Sequence, residues 1–139
     1  MSLNNEIRVT AFRVPHRDEY SETAGFRIAT GAKQYLFIPD IDKWEKWNRN
    51  IIAEVKSVDV ALLDGTFNEN NELQGRKISE VPHPLVTETM ELFRNENKEV
   101  KSKIFFIHLN HTNQLLWDNI MQNEIKNHGF NLAEQGQML

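Results

Sequence analysis

The sequence predicts an α/β fold, a single domain over residues 1–139 built on one mixed sheet with about three helices. Three observations predict it. "YLFIP", "VALL" and "IFFI" are nearly continuous apolar runs, the pattern of strands covered by other layers. Segments with helical spacing of apolar residues stand between and after these runs. The chain also opens with an extended segment and a short Gly-containing hairpin, giving the order β-hairpin and then β-α-β-α-β-α.

Residues 6–14, "EIRVTAFRV", carry β-branched and aromatic side chains and stop at Pro15, which predicts the first strand. "GFRIAT" (25–30) and "QYLFIPD" (34–40) form a pair of strands around "GAK". In "DIDKWEKWNRNIIAEV", Asp42 and Glu45 match a capping box. Trp44, Trp47, Ile51, Ile52 and Val55 then follow at helical spacing, so one continuous amphipathic helix is expected, with the tryptophans in the core. "VDVALLDGTF" (58–67) predicts a strand with a polar exit, followed by a polar loop over 68–82 that ends in "EVPHP". Leu85, Val86, Met90 and Phe93 share a face, predicting a helix from Leu85 to about Lys98. "KIFFIHL" is a strand, and residues 113–126 a helix with Leu116, Ile120 and Met121 inward and Gly129 as its stop.

Composition narrows the function classes. With 40% hydrophobic and 26% charged residues the chain has the make-up of a soluble globular domain. A net charge of −4 supplies no basic field, so nucleic acid is not an expected partner. No apolar run reaches the roughly 18 residues of a membrane span. The absence of cysteine removes disulfides and thiolate metal sites. "MSLNNEIRV" lacks the charged and apolar regions of a signal peptide, so a cytoplasmic location is expected.

Polar residues gather at the strand exits, where open α/β sheets build their sites. His16, Arg17, Asp18 and Glu19 follow the first strand, and Asp40 and Asp42 the third. Asp64 and Thr66 follow the fourth, and His108 and His111 the last. His83 stands between two prolines, Pro82 and Pro84. Imidazole and carboxylate together form the ligand set of zinc, iron or manganese sites. Ordinary roles compete: strand ends meet water, Asp42 has the position of a helix cap, and Asn110 and His111 could cap the next helix. No compact H-x-x-x-H or H-x-H-x-D-H motif occurs.

The ordered segments "VPHRDEYSETAGFRI", "LFIPDIDKWEKW", "VDVALLDGTF", "GRKISEVPHPLVTETM" and "KIFFIHLNHTN", with the tail "FNLAEQGQML", resemble one family. It is the pyrroloquinoline quinone biosynthesis protein B family of the metallo-β-lactamase superfamily, matched in its C-terminal half from about residue 6 onward. The resemblance implies half of an αββα sandwich, whose complete form has one or two metal ions at the edge between two pseudo-symmetric halves. It implies His16, Asp40 and His108 as metal ligands for zinc or iron, with Asp40 in the bridging position. Asp64, His83 and Glu19 are then the candidates for acid–base or supporting roles toward a small-molecule substrate. The same ligand positions resemble those of tRNA end-processing nucleases, but Leu63 stands where those enzymes carry a catalytic histidine. No counterpart of the superfamily's first half or its H-x-H-x-D-H-like motif is found. The expectation is therefore a metal-dependent hydrolase or oxygenase completed by a homodimer partner or by a complementary N-terminal half chain. The alternative is a non-catalytic truncated remnant or assembly subunit.

Overall fold

A computed structural model describes residues 6–17, 19–69, 72 and 80–139. Six strands form one mixed sheet in the order β1-β2-β3-β4-β5-β6: β1 (Arg8–Val14), β2 (Thr23–Ala29), β3 (Gln34–Ile38), β4 (Val60–Asp64), β5 (Ile104–Ile107) and β6 (Asn131–Leu132). The first three strands are antiparallel, and β3 through β6 run parallel. Among the described residues four α-helices accompany them: α1 (Ile51–Lys56), α2 (Val86–Leu92), α3 (Lys98–Ser102) and α4 (Asn119–Asn127). The expected α/β class with one mixed sheet is found. The helix near the C-terminus is stopped as expected, with Gly129 at φ +92°. Most of the polar segment over 68–82 lies outside the described residues.

One core sits on one face of the sheet. Phe12, Leu36, Ile38, Leu63, Ile104 and Phe106 point to that face and pack with Ile51 and Val55 of α1, Val86 of α2, Val100 of α3 and Ile125 of α4. The alternate residues point the other way, because side chains reverse with each step along a strand. Pairing aligns Ala11, Phe26, Phe37, Leu62 and Phe105 across five strands on that opposite face. None of these five belongs to the buried core cluster, and the four large ones stay partly exposed. Tyr35 lies on the same face, where its hydroxyl donates to the Leu139 O at 3.1 Å. All the described helices that contribute to the core contribute to one side of the sheet.

Three expected helices differ in extent, each for a local reason. The helix expected from Asp42 to Val55 is broken into a 3-10 turn (Trp44–Lys46) and α1. Trp47 already has an extended ψ of 134°, and Asn50 starts α1 by accepting from the Ala53 N–H. Tertiary contacts hold the two indoles in different places: Trp44 Nε1 donates to Thr89 Oγ1 at 2.8 Å and Trp47 Nε1 to the Arg13 carbonyl at 3.2 Å. Asp42 is not an N-cap. Its carboxylate accepts from the Lys43 N–H and from Lys46 Nζ. Both tryptophans are in the core as expected.

The helix expected over Leu85 to about Lys98 ends at Leu92. Asn97 caps a separate helix, α3, by accepting from the Val100 N–H. In the last segment a 3-10 turn over Gln114–Leu116 precedes α4, which Asp118 caps. Leu115 and Ile125 face inward there with Met121 packed beside them, whereas Leu116 is 48% exposed and Ile120 76%. No described helix is long and apolar enough to cross a membrane.

Candidate metal centre

The exits of β1, β3, β4 and β5 meet at one end of the sheet, and the Pro82–Pro84 loop joins them. Pro15 closes β1 and presents His16, while its own carbonyl accepts from the Asp42 N–H at 2.7 Å. That bond laces the loop bearing His16 to the loop bearing Asp40. Asp64, at the end of β4, is fully buried and accepts from the Ile41 N–H at 3.1 Å, tying the β3 exit to the β4 exit. His83 Nδ1 lies 2.9 Å from Asp64 Oδ2 and 3.3 Å from Asp40 Oδ1. His16 Nε2 lies 3.5 Å from Asp40 Oδ2. The rings of His16 and His83 stand 5.2 Å apart, and those of His83 and His108 6.5 Å.

Two overlapping groups of donor atoms result. One atom each from His16, Asp40 and His83 lies within 4.8 Å of the others, and so does one each from Asp40, Asp64 and His108. Asp40 is common to both. The three positions implied by the family resemblance fall in two groups: His16 lies in the first with His83, His108 in the second with Asp64, and Asp40 in both. Glu19 is exposed and belongs to neither group, and Asp18 lies outside the described residues.

The donor set fits a divalent cation on a second ground. His16 Nδ1 and Asp40 Oδ1 are buried and make no hydrogen bond. Asp40 Oδ1 faces His83 Nδ1 at 3.3 Å without hydrogen-bond geometry. Buried polar atoms without partners are uncommon in folded proteins and need a reason. A cation held among imidazole and carboxylate groups is one.

Charge around the site is balanced by short contacts. Burial pushes the Asp42 carboxyl up, but the hydrogen bond from Lys46, the Lys43 N–H and the charges of Lys46 and His16 outweigh it. Its pKa lies below the ordinary carboxylate value.

One supporting residue, Asn113, escaped the sequence reading, and a second, Thr66, was placed at a strand exit without a role. Asn113 is fully buried; its Nδ2 donates to the Gly65 and Thr66 carbonyls at 2.9 and 3.2 Å, and its Oδ1 accepts from the Leu115 N–H. Thr66 Oγ1 lies 2.6 Å from Asp64 Oδ1 and 3.0 Å from His108 Nδ1. The only available signal was the density of short hydrogen-bonding side chains in "DGTF" and "HLNHTN". His108 has φ +61°, and no other non-glycine residue among those described has a positive φ. Such a conformation costs about 1–3 kcal/mol and is kept where surrounding contacts fix it. Here the Asn110 N–H donates to the Thr66 carbonyl and the Gly65 N–H to the Ile107 carbonyl, on either side of His108. Replacing Asn113 by alanine strands the Gly65 carbonyl and the Leu115 N–H, while the Thr66 carbonyl keeps the Asn110 N–H. The replacement is expected to cost about 1–3 kcal/mol in urea unfolding.

A mixed sheet with histidine–carboxylate clusters at its strand exits defines an α/β protein with a candidate metal site. The chain belongs to the beta-lactamase superfamily, whose domain model matches residues 1–109. It is similar to the coenzyme PQQ synthesis protein B of Cupriavidus necator, at 27% identity over 129 residues, covering 87% of this chain and 41% of that protein. Its fold matches a crystal structure of zinc-bound PqqB from Methylobacterium extorquens with a TM-score of 0.72. That match has 23% identity and covers 96% of this chain and 50% of the other. The chain therefore spans about half the length of the relatives it matches.

Proposed function

We propose that this chain is the metal-binding half of a metallo-β-lactamase-type catalytic unit, with His16, Asp40 and His108 as its ligands. The observation that carries the reading is the pair of buried, unpartnered atoms, His16 Nδ1 and Asp40 Oδ1, within a cluster of imidazoles and carboxylates. When bound, a divalent ion supplies Lewis acidity and lowers the pKa of a water toward about 7. Asp40 contributes two carboxylate oxygens, one toward His16 and one toward His83. His83 is the acid–base candidate in reach of the cluster, and Glu19 stands outside it at the exposed rim. Zinc is the first ion to test, since the similar fold is described as zinc-bound, and iron the second. A small molecule handled by hydrolysis or by oxygen chemistry, in the manner of a quinone-cofactor pathway, is the substrate class in keeping with the relatives' names. Calorimetric titration of zinc into the metal-free chain tests the reading. Saturation at one or two ions per chain is expected, and a flat titration of folded protein would remove it.

A second reading is favoured by the uncovered sheet face. Phe26, Phe37, Leu62 and Phe105 form an apolar row with no helix over it among the described residues, and such patches mark association sites. In this reading the chain works as an assembly subunit, closed by a second copy or by a complementary first half. Light scattering on the purified chain is expected to give the mass of two chains. Replacing Phe37 by aspartate is expected to return it to one, whereas a single-chain mass for the unaltered protein would count against self-association.

A further inference from the structure

Asp64 is buried completely, and the metal reading above gives it no settled task. Its hydrogen bonds assign one. A carboxylate accepts only, so every close polar neighbour must donate to it. Oδ1 receives the Thr66 N–H at 2.8 Å and the Thr66 hydroxyl at 2.6 Å. Oδ2 receives the Ile41 N–H at 3.1 Å, and His83 Nδ1 lies 2.9 Å from it. Both oxygens are thus engaged twice by the protein itself, which leaves Asp64 as a positioning group rather than a free ligand.

The same bookkeeping places protons on the two histidines. The Thr66 hydroxyl has one hydrogen, and it is directed at Asp64 Oδ1. Its oxygen can then only accept from the remaining neighbour, His108 Nδ1, 3.0 Å away. His108 must carry its proton on Nδ1. His83 must do the same, because its Nδ1 faces Asp64 Oδ2 and Asp40 Oδ1. In each ring Nε2 is left with a free lone pair. We propose that Asp64, Gly65 and Thr66 form a clamp that sets the Nδ1–H tautomer of both His108 and His83. It thereby presents the Nε2 lone pair of His108 to a divalent cation.

Gly65 gives the clamp its reach. A Cβ at that position would lie 3.0 Å from the Ile107 carbonyl oxygen and 3.0 Å from Phe106 Cβ, so any larger residue would press the β4 and β5 exits apart. The approach brings Thr66 under His108, and Asn113 locks it by donating to the Gly65 and Thr66 carbonyls. One buried carboxylate therefore ties together the loops that carry Asp40, His83 and His108. Outer hydrogen bonds of this kind fix ring orientation and raise ligand basicity, and losing one costs about 10–100-fold in metal affinity.

The inference rests on the proposed metal site for its purpose, but its test does not need metal. Long-range proton–nitrogen NMR of the metal-free, nitrogen-15-labelled chain reports the tautomer of each histidine. The pH is held above the ordinary histidine value of about 6.5. His108 and His83 are expected in the Nδ1–H form, while exposed His128 shows the Nε2–H form that free histidine prefers. Thr66→Val should move His108 toward Nε2–H and leave His83 pinned, and Thr66→Ser should restore the original state of His108. In a zinc titration Thr66→Val should weaken binding about 10–100-fold and Thr66→Ser much less. A wild-type His108 in the Nε2–H form, or a tautomer indifferent to Thr66→Val, overturns the clamp whatever the zinc result. Pinned tautomers in a chain that takes up no zinc would keep the clamp and remove the metal reading instead.

Discussion

Asp40→Ala is expected to abolish stoichiometric zinc binding while leaving the chain folded. Asp40 is the residue shared by both donor groups, so its loss disables each of them. Removing an outer support costs about 10–100-fold in affinity, and removing a shared ligand should cost more than the upper end of that range. The fold should tolerate the change. Asp40 is not one of the buried polar residues of the core, one of its oxygens makes no hydrogen bond, and His83 keeps Asp64 as a partner. Calorimetry with circular dichroism on the same samples separates the two effects. A variant that still binds zinc at the unaltered ratio would place the ion elsewhere.

The second large effect concerns the core. Phe106→Ala is expected to destabilise the chain by about 3–5 kcal/mol in urea unfolding, a large part of the roughly 5–15 kcal/mol that holds a domain together. Phe106 is fully buried on β5, between β4 and the edge strand β6, aligned with Leu63 and Leu132, and its ring centroid lies 6.1 Å from that of Phe130. Its neighbour Phe105 points to the uncovered face and remains partly exposed. Phe105→Ala should therefore cost distinctly less in a single chain, because less surface is returned to water. Equal costs at the two positions would mean that the second face is covered in solution, in favour of the assembly reading.

Much of the sheet was legible because its signal is local. The runs containing Leu36, Leu63 and Phe106 have no polar residue to place at a surface, and the abrupt change to polar residues at His16, Asp40, Asp64 and His108 marks where each strand ends. β1, β3, β4 and β5 run in the same direction, so their exits share one end of the sheet. The helices were less legible. Asn50 and Asn97 resemble ordinary polar positions within longer helical patterns, and they became caps once Trp44, Trp47 and Phe93 were buried by distant elements. The pattern from Leu116 to Ile120 misled because Asp118 restarts the helix and changes which side chains face the core. Thr66 was legible only as a polar residue at a strand exit, and Asn113 was not legible as a site residue at all. Their roles depend on contacts across 42 to 48 positions of sequence, which no local spacing encodes.

The same limit explains the division of labour in the site. The family resemblance implied His16, Asp40 and His108 as ligands, and the geometry adds what surrounds them. The Pro15 carbonyl and the Asp64 carboxylate fasten the loop around Asp40, and Thr66 supports His108. A site fixed on strand ends and cross-linked by buried hydrogen bonds is pre-organised, which would present the proposed ligands to a cation already in place.

The most direct test of the metal centre is an anomalous difference map at the zinc absorption edge, from crystals of the chain reconstituted with zinc. The expected result is a peak about 2.0–2.2 Å from donor atoms of His16, Asp40 and His108. A zinc peak bound elsewhere, or a well-ordered cluster of these side chains with no peak at saturating zinc, would contradict it.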